Sequence, residues 1–103
     1  CAGGHTPWGT VLSGEENFHQ YFSNANGLPD GPVRTMHARY GVPGANGSYP
    51  WARHFDRFDV AKHPNEAFRH GWVIEFDPYD PNSMPKKRTA LGRFRHEGCT
   101  IQV

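Results

Sequence analysis

Twelve glycines and nine prolines punctuate this chain, 21 of 103 positions, from Gly3 through to Gly98. Proline removes an intrahelical hydrogen bond and glycine raises the entropic cost of a helix, so long helices are disfavoured throughout. Short strands joined by turns suit such a composition, and all-β is the fold class expected. The hydrophobic fraction of 36% and the length of 103 residues bound the chain to one domain at most, with a modest core. A net charge of +1 with acids and bases interspersed supplies no broad field to draw nucleic acid or an anionic membrane. No apolar run approaches the roughly 20 residues of a membrane span, and no signal peptide is visible.

Chemistry is densest in the opening run, Cys1-Ala2-Gly3-Gly4-His5-Thr6-Pro7-Trp8-Gly9-Thr10-Val11-Leu12-Ser13-Gly14-Glu15-Glu16-Asn17. Its glycines allow the backbone to fold tightly round something small, and Pro7 fixes one φ angle. Thr10-Val11-Leu12 reads as a short buried strand whose far end delivers Glu15 and Glu16. A thiolate at Cys1 and carboxylates at Glu15 and Glu16 could then meet at one cation. On residue types alone, the commoner outcome of such a run is a loop with a buried thiol and two solvated acids.

Further along, the spacing of Phe18, Tyr21 and Phe22 predicts a helical turn or two, cut off by the polar run 23–27. Residues 33–40 are expected as a strand, and 41–50 as a loop that includes Asn46-Gly47-Ser48, a glycosylation-acceptor spelling common by chance. Residues 51–60 alternate aromatic and charged side chains and leave strand and helical turn both open. Trp72-Val73-Ile74-Glu75-Phe76-Asp77 is the clearest strand, bounded by Gly71 and Pro78. Lys87-Arg88-Thr89-Ala90-Leu91-Gly92-Arg93-Phe94 lies at hairpin distance and is expected to pair with it antiparallel. Repeated short strands suit a sandwich, barrel or propeller, and periodicity does not choose among them.

Three blocks in order carry a resemblance: the opening run, then Gly71-Trp72-Val73-Ile74-Glu75-Phe76-Asp77-Pro78, then Lys87-Arg88-Thr89-Ala90-Leu91-Gly92-Arg93-Phe94-Arg95-His96-Glu97-Gly98. Together they resemble the PhoX-type alkaline phosphatase family and bracket nearly the whole chain. The resemblance implies a β-propeller with long insertions between strands, of which residues 1–103 would be an internal piece supplying roughly one to two blades, not stable alone. It implies that Cys1, Glu16 and Glu97 are metal ligands, with Glu15 the alternative to Glu16, because adjacent strand residues face opposite ways. The implied cofactors are ferric iron (Fe3+) and calcium, a pairing that thiolate and carboxylate donors suit. Such a centre activates the attacking oxygen and neutralises charge on the transferred phosphoryl group. The resemblance further implies hydrolysis of phosphate monoesters by a monomeric, periplasmic or secreted enzyme, with the remaining ligands and the phosphate-gripping arginines outside these residues. The alternative is a propeller that binds calcium or another ligand without turnover, to which a Cys1 thiolate would be of no use.

Other residues carry plainer expectations. A Cys1–Cys99 disulfide is open in an oxidising compartment, whereas a metal thiolate at Cys1 would leave Cys99 a small buried residue. His5 after Cys1 is compatible with zinc or with a nucleophile and its base, both minor readings beside the family pattern. The remaining histidines show no close pair at metal spacing and are expected at the surface or around the site, with His96 singled out because it flanks Glu97. Asp77-Pro78-Tyr79-Asp80-Pro81-Asn82-Ser83 lacks the alternating acids and closing glutamate of a calcium loop and reads as a hairpin turn. Lys86-Lys87-Arg88 reads as a solvated turn and strand edge.

Overall fold

Four strands pair antiparallel in the order β1 (Gly3–His5), β2 (Val11–Gly14), β3 (Val73–Phe76) and β4 (Lys86–Lys87). The computed structural model describes residues 2–103. The chain divides into two compact units, one formed by Cys1–Asn17 with Gly71–Val103 and the other by Phe18–His70. The sheet belongs to the first. Its central strands β2 and β3 are spatial neighbours in sequence-distant positions, so the whole of the second unit is inserted between them.

Register in the sheet follows from side-chain alternation. Gly4 lies opposite Leu12, and Leu12 opposite Glu75; Gly14 lies opposite Val73. The β2 and β3 strands therefore share one buried face made by Leu12, Gly14, Val73 and Glu75. Val11, Val73, Ile74 and Phe76 supply the β-branched and aromatic character that favours this pleated arrangement. The β3–β4 hairpin is closed by two Asx turns, in which the Tyr79 and Asn82 N–H groups donate to the Asp77 and Asp80 carboxylates at 2.9 and 3.0 Å. The hairpin-turn reading of that segment holds, but the expected strand 87–94 does not. Lys86 and Lys87 form β4, Arg88 N–H adds one further bond to the Val73 carbonyl at 2.7 Å, and Thr89–Leu91 then forms a 3-10 turn ended by Gly92 at φ 89°. A glycine at positive φ cannot continue an extended run.

Residues of the second unit pack round an aromatic core of Phe18, Phe22, Leu28, Val42, Phe58 and Val60 with Ala25 and Ala67. Phe22 meets Phe58 at 5.5 Å between ring centroids, and Tyr21 stacks on Trp51 at 4.5 Å. The expected turn at Phe18–Tyr21 is a 3-10 helix, and residues 51–60 resolve into further short helical turns at Pro50–Arg53 and Asp56–Phe58. The strand expected at 33–40 is instead the helix α1 (Pro32–Arg39). Pro32 occupies the first helical position, where its missing N–H costs nothing. Val33, His37 and Tyr40 then fall at i, i+4 and i+7 and turn one face inward. All-β thus describes the sheet unit, while 18–70 is built from one helix and 3-10 turns. His37, expected near the surface, is fully buried, stacked on Phe68, with its Nε2 2.7 Å from the Pro64 carbonyl.

Candidate metal and phosphate site

Two ends of the sheet unit carry polar machinery, and Glu75 organises one of them. Its side chain is 10% exposed and accepts from Thr10 Oγ1 at 2.5 Å, Trp8 Nε1 at 2.8 Å and Arg88 Nε at 2.8 Å. The Thr10 hydroxyl foremost, then the Trp8 indole and the Arg88 guanidinium, pull its carboxyl down to about 2 against the opposing effect of burial. Because Thr10 gives its proton to Glu75, the Thr6 hydroxyl at 2.8 Å must be the donor to Thr10 Oγ1. Thr6 N–H in turn donates to the Thr10 carbonyl at 2.9 Å, so the Thr6–Thr10 turn is stapled to β3. The sequence reading passed over Glu75. The signal was present, since alternation from Val73 puts residue 75 on the buried face, and a buried carboxylate must find donors.

At the opposite end of β2 the backbones of Ala2, Gly14 and Glu97 meet. Ala2 N–H donates to the Glu97 carbonyl at 3.2 Å, and Gly14 N–H donates to the Ala2 carbonyl at 3.5 Å. The segment 96–99 lies against the sheet at two positions that only glycine permits. A Cβ on Gly14 would stand 2.7 Å from both the Glu97 carbonyl oxygen and the His96 Cβ, and one on Gly4 would stand 2.0 Å from the Cys99 carbonyl. These two glycines thus serve the close approach of two chain segments, rather than a loop wrapped round a small ligand.

Glu15 continues β2 by one residue: its N–H donates to the Trp72 carbonyl at 3.0 Å, and its carboxylate accepts from the Trp72 N–H at 3.3 Å. Lys87 Nζ lies 3.0 Å from Glu15 Oε1 and 3.2 Å from Oε2. The basic run 86–88 is therefore more than a solvated edge, as Lys87 and Arg88 each neutralise an acid of the sheet unit. Glu16 is half-buried and Glu97 exposed. His96 is buried, its ring tilted against Phe94, with Nε2 3.0 Å from the Gly92 carbonyl. His5 stands exposed on β1. Cys99 is a half-buried free thiol. Cys1, and with it any Cys1–Cys99 bridge, lies outside the described residues, although its chain neighbour Ala2 sits beside Glu97.

Among the described residues no group of three His, Cys, Asp or Glu side chains is placed to hold a metal ion. What they offer at this end is carboxylate oxygen, a donor type that suits calcium and ferric iron better than zinc, with the one nearby imidazole turned to a backbone carbonyl. The donor chemistry fits an iron and calcium site completed by groups beyond the described residues.

The family model described as alkaline phosphatase PhoX matches residues 1–103. The solved structure of Pseudomonas fluorescens PhoX in complex with vanadate, a transition state analogue, is similar at 52% identity and a TM-score of 0.82 over 95% of this chain. The chain spans 17% of that protein. No curated protein sequence matches it significantly. No helix among the described residues is long and apolar enough to cross a membrane. With the family model matched from end to end, the chain belongs to the PhoX alkaline phosphatase family.

Proposed function

We propose that these residues form part of a longer, exported, monomeric alkaline phosphatase that hydrolyses phosphate monoesters, and that Cys1, Glu16 and Glu97 hold iron and calcium for it. The observation that carries the reading is the meeting of Ala2, Gly14 and Glu97 at one end of the sheet, which brings the opening run and the segment 96–99 to one place. A propeller blade would have such a four-strand antiparallel order, and residues 18–70 would then be an insertion between its middle strands.

Within this site each residue has a distinct task. Glu16 and Glu97 supply hard anionic oxygen, and Cys1 supplies a thiolate that donates more charge to iron than a carboxylate does. Glu15, committed to Lys87 and the Trp72 N–H, is the less suited of the adjacent pair. Glu16 follows Gly14 by two residues, and the Glu97 segment packs against Gly14. When bound, the metal ions supply Lewis acidity toward the phosphoryl oxygens.

The test uses the full-length protein, with elemental analysis beside hydrolysis of a chromogenic phosphomonoester. Iron and calcium together, with turnover lost in Cys1→Ala while folding is intact, support the reading. Calcium without iron and no turnover would instead identify a non-catalytic binding propeller.

A further inference from the structure

We propose that Lys87 is a positioning residue for Glu16, acting through the Glu15 carboxylate; the inference rests on the site reading above and adds to it. β4 is separated from β2 by β3, so an ion pair from Lys87 to Glu15 reaches across the sheet by two strand spacings, about 10 Å. It clasps the end of β2, where the ladder of β2 with β3 stops at Gly14. Residue 15 is thereby held three ways: by its own N–H on Trp72, by the Trp72 N–H on its carboxylate, and by Lys87.

Two residues later, Asn17 adopts φ 46°, a left-handed conformation that asparagine tolerates and most residues avoid. Glu16 is the single residue between the clasp and that reversal. With both neighbours fixed, its backbone has little freedom. A carboxylate that must meet a metal within a few tenths of an ångström gains from such support. The geometry also separates two adjacent glutamates by role. On this proposal Glu15, ion-paired to Lys87, anchors, and Glu16 coordinates.

The experiment compares Lys87→Met, Lys87→Arg, Glu15→Gln, Glu16→Gln and Glu97→Gln in the full-length, metal-loaded protein. Iron and calcium retained after dialysis against a chelator are measured beside kcat and KM, and melting is followed for the metal-free forms. Lys87→Met should weaken metal retention by about 10- to 100-fold, with metal-free melting nearly unmoved because the pair is partly exposed. Lys87→Arg should restore most of the loss. Glu15→Gln keeps an amide oxygen for the Trp72 N–H and should resemble Lys87→Met. Retention unchanged in Lys87→Met while Glu16→Gln empties the site would overturn the positioning role. So would a site emptied by Glu15→Gln but full in Lys87→Met, which would make Glu15 the ligand. Full metal content in both Glu16→Gln and Glu97→Gln would instead overturn the site reading, and this inference with it.

Discussion

The sheet unit and the inserted unit are stabilised by different means. Among the described residues the buried hydrophobic side chains of the sheet unit are Leu12 and Val73, whereas the inserted unit buries Phe18, Phe22, Leu28, Val42, Phe58 and Val60 in one cluster. The sheet unit relies on its backbone ladder and on carboxylates with partners, Glu75 with Thr10, Trp8 and Arg88, and Glu15 with Lys87. Apolar packing is indifferent to pH and tolerant of small rearrangements. Charged hydrogen bonds are directional and titrate. The unit that carries the candidate ligands is thus the one built from interactions that fix geometry, and bulk stability resides in the other.

The largest expected effect lies in the aromatic core. Phe22→Ala should cost about 3–5 kcal/mol in chemical denaturation, because a fully buried ring leaves a cavity among Phe58, His70 and their neighbours. If the contrast holds, that loss is the same in mildly acidic and neutral buffer. Next is Glu75→Gln, expected to cost about 1–3 kcal/mol, since the amide keeps one acceptor but turns its nitrogen on Arg88 or on a hydroxyl or indole donor.

The same residue sharpens the comparison through pH. The Glu75 carboxyl is held at about 2, below its ordinary 4.5. A depressed pKa contributes stability that is fully present above the ordinary value and is lost as pH falls from 4.5 through about 2. The stability gap between the parent and Glu75→Gln should therefore narrow over that window, and a gap that stays constant would detach Glu75 from the pH response.

Gly14→Ala is expected to cost about 1–3 kcal/mol, the usual range for overpacking, because the added methyl would stand 2.7 Å from the Glu97 carbonyl. It should also reduce bound metal, whereas an aromatic-core variant of equal cost should not. The smallest effect belongs to His5→Ala. His5 is exposed on β1, and metal content and turnover should stay at the parent level. A loss of turnover would revive a role for His5 as base or ligand.

Much of the sheet was legible in sequence because its signals are local. Val11, Val73, Ile74 and Phe76 mark strands by residue type, and Gly71 and Pro78 bound β3. The helix α1 was missed because 33–40 was read as a strand, although proline at a first helical position announces a helix, and Val33, His37 and Tyr40 carry its period. The brevity of β4 was missed because the run 87–94 was read as one extended segment, whereas Thr89–Leu91 winds into a 3-10 turn ended by Gly92. For the site, residue types and family pattern singled out Glu16 and Glu97. The proposed division of labour between Glu15 and Glu16 rests on Lys87, 72 residues away from Glu15 in sequence. Such pairings are set by register across three strands, and only the folded sheet supplies that register.

The most direct test is anomalous diffraction at the iron edge from crystals of the full-length, metal-loaded protein. The account predicts an iron or calcium position within about 2.0–2.6 Å of carboxylate oxygens of both Glu16 and Glu97, with the Cys1 sulfur on the iron. Metal peaks distant from both carboxylates, or a Glu15 oxygen on the metal with Lys87 released, would contradict it.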